Sequence, residues 1–246
     1  MESTNKPLRV AIAGLGAIGK SLASRLTEGV VPGVVLTAVS AKNQEKAKEF
    51  VSTLAYPVKV LSISELEPEA DVVVECAPAE LLSDIIAPFL RAKKKAIVLS
   101  VGAILFKPEL IELAKTTGGT IMVPTGALIG LDAMVAAAEG EIFSVKMVTN
   151  KPPLGLKGAP HLIENNISVD GLTEPLKVFS GNAKEAAKGF PANLNVVVAL
   201  ALAGVGPEKT HLEIWADPTV VRNTHTITVE SDSAKFSMKM ENIPSE

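Results

Sequence analysis

Three glycines place the strongest constraint on this chain. Gly14-Leu15-Gly16-Ala17-Ile18-Gly19 stands between an apolar run, residues 8–13, and an amphipathic stretch over residues 18–28. A strand entering a helix through such a turn lets the backbone approach a ligand and aims helix amides at negative charge. The spacing alone is common, so its surroundings decide what it means. Here it opens a serial pattern. Strands are expected at 34–40, 58–60, 71–76, 96–100 and 120–123, and helices at 44–54, 79–91 and 107–116. Solidly apolar strands alternating with helices imply a parallel sheet covered on both faces. The fold class that follows is α/β, with a Rossmann-type doubly wound domain over residues 1–130. Its turn is predicted to hold a dinucleotide pyrophosphate at Gly14, Gly16, Ala17, Ile18 and Gly19.

The end of the second strand bears on which dinucleotide. NAD-selective sites place an acid there to accept from the ribose 2′-hydroxyl. This chain has Ser40-Ala41-Lys42-Asn43 instead, with no carboxylate to repel a 2′-phosphate and Lys42 to attract one. NADP is therefore expected to be tolerated beside NAD, with Ser40 and Lys42 at that end of the cofactor. Two loops, residues 75–78 and 100–103, are expected at the carboxyl ends of parallel strands. Their small residues, Cys76 and Ala77 among them, allow close approach to a nicotinamide ribose. Cys76 has no histidine near it in sequence and reads as a small packing residue rather than a nucleophile.

Composition excludes several other classes. The formal charge is only -3 and no basic block exists, so no nucleic-acid partner is expected. Lys93-Lys94-Lys95 reads as a solvated turn before a buried strand. A single cysteine excludes an internal disulfide framework and a Cys-rich zinc site; no metal is expected. Residues 1–7 are polar and lack the apolar core of a signal peptide. The longest apolar run, residues 196–205, is about half a membrane span and reads as a buried helix. These features point to a cytoplasmic protein with no membrane partner.

Beyond residue 130 the pattern changes, and residues 131–246 are expected to form an α+β domain with a mixed or antiparallel sheet. After a helix at 132–139, residues 143–149 alternate, with Phe143, Val145 and Met147 on one face. Thr149 and Lys151 continue that parity, which would set a hydroxyl and an ammonium on the core side, suited to a substrate carboxylate. The alternative is that parity breaks at Pro152-Pro153 and leaves Lys151 in solvent. Residues 226–242 read as a hairpin, with Phe236, Met238 and Met240 sharing a face. Of the three histidines, His211 shares parity with Glu213, Trp215 and Asp217 and is expected to face solvent, while His161 falls in a loop-like region. His225 shares parity with Ile227 and Val229 and follows the polar group Arg222-Asn223-Thr224, which makes it the candidate general acid/base. Asn193 and Asn195 flank the start of the apolar helix. One can cap it while the other offers a carboxamide to a nicotinamide amide.

The glycine turn, Pro124-Thr125-Gly126-Ala127, Lys151-Pro152-Pro153, Phe190-Pro191-Ala192-Asn193-Leu194-Asn195, and Asp217-Pro218 with Asn223-Thr224-His225 occur in this order. Together they resemble the L-aspartate dehydrogenase family over essentially the whole chain. The resemblance implies a cytoplasmic, homodimeric enzyme that oxidises L-aspartate to iminosuccinate with NAD or NADP. The imine then hydrolyses to oxaloacetate and ammonia or feeds NAD biosynthesis. It further implies that His225 is the active-site histidine and that Ala127 and Asn195 touch the cofactor; Thr149 and Lys151, from strand parity, and Asn223 and Thr224, beside His225, are the candidate substrate contacts. Two departures stand out: the family typically carries Arg where this chain has Asn150, and a further helix is expected after Glu246. The competing readings are an oxidoreductase of the same plan acting on another small acid or amino acid, and a non-catalytic dinucleotide sensor. Dihydrodipicolinate reductase is the nearest rival by architecture, but its basic His-Lys motif is missing.

Overall fold

The structure, a computed structural model, describes residues 6–124, 128–191 and 195–242. The chain divides into two compact units, Met1–Pro124 and Thr125–Glu246. In the first, the order is β1 (Leu8–Ala13), α1 (Ala17–Thr27), β2 (Val34–Ser40), α2 (Gln44–Val51), β3 (Lys59–Val60) and β4 (Val72–Glu75). Then come α3 (Leu82–Arg91), β5 (Lys95–Val98), α4 (Val101–Ile104), α5 (Pro108–Thr117) and β6 (Thr120–Met122). The six strands form one parallel sheet in the order β3-β2-β1-β4-β5-β6. This is the Rossmann arrangement, whose order reverses between β1 and β4 and leaves a ligand crevice outside their carboxyl ends.

Apolar strands make this sheet because both of its faces are covered. Ala11, Ile12, Ala13, Val73, Ala96 and Val98 are fully buried. α3 buries Leu82, Ile85, Ile86, Phe89 and Leu90, on more than one side of the helix. Residues 100–103, expected as a loop, are instead mostly helical, since Val101 and Ile104 are buried as α4.

The second unit runs α6 (Leu131–Ala137), β7 (Ile142–Lys151), α7 (Pro160–Glu164), β8 (Leu176–Asn182), α8 (Ala183–Gly189) and α9 (Asn195–Ala203). It closes with β9 (Thr210–Ala216), β10 (Thr224–Ser231) and β11 (Lys235–Glu241). Its sheet is ordered β11-β10-β7-β9-β8. The β7–β9 pair is parallel and the other pairs are antiparallel, so the sheet is mixed. One face is apolar, with Val145, Met147, Leu212, Ile214, Ile227 and Val229 almost wholly buried. α9 is apolar on most sides and buries Val197, Val198, Leu200 and Ala201, as its sequence implied.

Several expectations are corrected in this unit. Phe143 has the parity of the buried face but is 61% exposed: the pairing with β10 passes from Ser144 to Ile142, so Phe143 falls at an irregularity where the alternation breaks. His161 lies on the short helix α7, started by Pro160, and its ring packs 5.3 Å from both Phe179 and Phe190. Asp217, grouped with the solvent-facing residues of β9, falls beyond the last strand residue and is buried. Strand β8 and helix α8 carried no clear signal: β8 buries only Val178, and α8 is written in Ala, Lys, Glu and Gly.

Candidate functional site

Two places in the described residues carry the chemistry, one within each unit. In the first unit a groove of about 1580 Å³ runs along the carboxyl ends of the strands. Gly14, Gly16, Ser40, Lys42, Cys76 and Ala77 all line it. Gly14 has φ +105°, and a Cβ there would stand 2.3 Å from the Cys76 carbonyl oxygen. Gly19 packs against the same turn, where a Cβ would meet the Gly14 oxygen at 1.9 Å. Gly16 differs from both: its φ is ordinary, and a Cβ would touch no protein atom. Protein packing therefore explains Gly14 and Gly19 but not Gly16, which also faces the groove. That open approach, at the start of α1 where no side chain caps the helix, fits a pyrophosphate. Ala17 and Ile18 sit exposed in the first turn of α1 and, like Gly19, do not line the groove wall.

At the far end of β2, Ser40 is buried and its carbonyl accepts from the Gly14 N–H at 2.8 Å. Lys42 is exposed on the groove, with Lys20, Lys46 and Arg91 also lining it. The Cys76 thiol is pushed up to about 12, first by burial and then by the neighbouring Glu75 charge. It remains protonated and is no nucleophile, in keeping with its reading as a packing residue.

The second unit gathers polar groups on its apolar face. His225 and Thr149 are register partners on β10 and β7, and the Thr149 hydroxyl lies 3.0 Å from His225 Nδ1. Lys151 follows two residues along β7 on the same buried face, so strand parity holds up to Pro152. All three border a cavity of about 10 Å³, near the lower limit for one water. Its remaining wall is Met147, Val196, Val197, Leu212 and Ile214. Burial, together with the positive charge of Lys151, pulls His225 down to about 4, which leaves the imidazole neutral at neutral pH. Burial alone pulls Lys151 down to about 8, within reach of ordinary working conditions.

The flanking candidates separate. Asn223 is half-buried just before β10, and its carbonyl accepts from the Asn242 N–H. Thr224 alternates to the other face of β10, where its register partners are Asn150 and Glu241, so it is not brought beside His225. Asn195 begins α9 and is exposed. Ala127 and Asn193 lie outside the described residues. Asn150, at the position of the family's arginine, donates to Asp217 at 2.8 Å. Asp217 also accepts from the Thr219 hydroxyl and N–H, and these hydrogen bonds, Thr219 foremost, hold its carboxyl below the usual range. Sequence reasoning overlooked Glu75, the last residue of β4, which is fully buried. Its only signal was a carboxylate ending an otherwise solid apolar run.

Fold and groove together define a two-unit oxidoreductase with a nicotinamide-dinucleotide-binding domain. In support, residues 14–124 match the family described as "Homoserine dehydrogenase, NAD binding domain". Residues 132–246 match "Aspartate dehydrogenase, C-terminal". The chain is 59% identical over 244 residues to L-aspartate dehydrogenase 3 of Bordetella bronchiseptica, covering 99% of this chain and 90% of that one. With the L-aspartate dehydrogenase of Bradyrhizobium diazoefficiens it shares 56% identity, over 100% and 87% of the two chains. The crystal structure of aspartate dehydrogenase from Thermotoga maritima superposes with a TM-score of 0.74 at 27% identity, over 96% of this chain and 89% of that one. This chain belongs to the aspartate dehydrogenase family.

Proposed function

We propose that the chain catalyses the oxidative deamination of L-aspartate with NAD or NADP. Aspartate, oxidised dinucleotide and water yield oxaloacetate, ammonium, reduced dinucleotide and a proton, by way of iminosuccinate. The same imine can be drawn off for NAD biosynthesis. The observation that carries this reading is the buried group of His225, Thr149 and Lys151, set in a chain of this family. A dinucleotide sensor has no use for three polar side chains on an otherwise apolar sheet face.

In the first unit, Gly14 and Gly16 admit the pyrophosphate, with Ala17, Ile18 and Gly19 supplying the helix start. Ser40 and Lys42 meet the adenosine ribose, and Lys42 favours a 2′-phosphate, giving a lean towards NADP. Cys76 and Ala77 flank the nicotinamide ribose, and Ala127 and Asn195 make further cofactor contacts. When bound, the dinucleotide supplies the hydride acceptor for the aspartate Cα hydrogen. Lys151, as the ammonium, holds a substrate carboxylate with help from Thr149 and Asn223, trading loose encounter for fixed geometry. His225 is neutral at the outset. With Nδ1–H donating to Thr149, its Nε2 is free to take a proton from the water that attacks the imine, and to return it to the departing nitrogen.

Residues 1–130 thus serve the cofactor, and residues 131–246 serve the substrate and self-association. Val148 and Trp215, half-buried on the sheet face opposite His225, support a homodimer through that face; sedimentation showing only monomer would oppose it. Among the described residues no helix is long and apolar enough to cross a membrane. With the lone thiol, this supports a cytoplasmic place, which cell fractionation checks. The reaction itself is tested by near-ultraviolet absorbance of reduced nicotinamide, offering L-aspartate, D-aspartate, L-glutamate and L-homoserine with each dinucleotide. Reduction confined to L-aspartate is expected; a stronger response to another substrate would replace it.

A further inference from the structure

Glu75 takes part in none of the steps above, yet it is the most completely enclosed carboxylate described. It ends β4 with no exposed surface. Oε1 accepts from the Ala77 N–H at 3.1 Å and from the Ser100 hydroxyl at 3.0 Å. Oε2 accepts from the Leu99 N–H at 3.1 Å and the Ser100 N–H at 2.9 Å. Every one of these partners is a donor, the surroundings a carboxylate needs and an amide cannot use equally well. Three of the donors belong to the segment leaving β5 and one to the segment leaving β4. A buried charge of this kind is costly unless fully satisfied, so its presence calls for a reason.

The contacts around it supply one. The Cys76 N–H donates to the Ala13 carbonyl at 2.8 Å, and Gly14 lies so close to Cys76 that no Cβ fits. The Gly14 N–H in turn donates to Ser40. A continuous series of ties therefore runs along the carboxyl ends of the strands from β2 through β1 and β4 to β5. The first ties are backbone to backbone and survive most substitutions. β4 and β5 are laddered up to the Glu75–Val98 pair, and past it the two departing segments are joined through the Glu75 side chain, with one longer bond from the Ser100 hydroxyl to the Ala77 carbonyl at 3.4 Å beside it. In a sheet of this order the β1–β2 end receives the adenosine half of a dinucleotide, and the β4–β5 end the nicotinamide half.

We propose that Glu75 is a positioning residue for the nicotinamide half of the cofactor, acting by clamping the segments after β4 and β5 into one surface. This rests on the dinucleotide reading given above. The test compares dissociation constants for the whole dinucleotide and for ADP-ribose, which lacks the nicotinamide, in the full-length protein by calorimetry. For E75Q, affinity for the dinucleotide is expected to fall about tenfold while that for ADP-ribose stays within about twofold. S100A removes only the hydroxyl donor, and a loss of about threefold in the same direction is expected. It decides the matter if E75Q does not fold. Equal loss for both ligands, or no loss for either, overturns the proposal. Failure of the unsubstituted protein to bind either dinucleotide would instead overturn the cofactor reading.

Discussion

At the edge of the first sheet the residues facing the groove are Gly14, Gly16, Ser40, Cys76 and Ala77, while on the second sheet the working groups are Thr149, Lys151 and His225. The first set offers backbone and small side chains at strand ends, none of them charged, so little is lost by being ready for a ligand. The second set projects from strand middles and ends into apolar surroundings. Desolvation there lowers Lys151 from 10.5 to about 8 and His225 from 6.5 to about 4. Each such shift corresponds to about 3 kcal/mol between protonation states. The groove-facing residues of the first unit thus cost the fold little, the enclosed Glu75 beneath them apart, whereas the buried ionisable groups of the second unit are held at the expense of stability.

H225A should separate the two regions most sharply. A fall in kcat on the order of a hundredfold or more is expected, with the dinucleotide dissociation constant unchanged. Parallel loss of cofactor affinity, measured by calorimetry, would break the division. K151M comes next: KM for L-aspartate is expected to rise about tenfold, while denaturant unfolding shows a gain of about 1–3 kcal/mol near neutral pH. A less stable variant would mean that Lys151 is sustained by its contacts instead of opposing the fold.

The pH dependence of stability follows the same logic. Between about 4 and 6.5 the unfolded chain binds a proton at His225 that the folded chain does not. Stability from this group is therefore present above 6.5 and is lost as pH falls towards 4, by up to about 3 kcal/mol. H225Q should flatten that part of the profile in chemical denaturation, and an unchanged slope would count against burial as the cause. The smallest effect is expected at the exposed end of the groove. K42A should raise KM for NADP about threefold and leave that for NAD alone; equal change in both would remove Lys42 from cofactor choice.

The first sheet was legible because periodicity and burial agree: an apolar run such as Val72-Val73-Val74 can only be an interior strand. The same run hid Glu75, since no pattern in a single sequence says which donors a terminal carboxylate will meet. On the second sheet, parity correctly carried Thr149 and Lys151 to the core side but misjudged Phe143, which falls where the register with β10 shifts. The pairing of His225 with Thr149 joins residues 76 positions apart and becomes visible only through strand register. Thr224 was grouped with its neighbour by proximity in sequence, whereas a strand sends adjacent side chains to opposite faces.

The most direct measurement follows the hydrogen itself. L-aspartate deuterated at Cα is incubated with the protein and oxidised dinucleotide, and the reduced nicotinamide is analysed by mass spectrometry. Deuterium recovered in the dinucleotide, accumulating on the order of a hundredfold or more slowly in H225A without loss of dinucleotide binding, is the expected result. Reduced dinucleotide free of deuterium, or none formed despite binding, would contradict oxidation at the aspartate Cα.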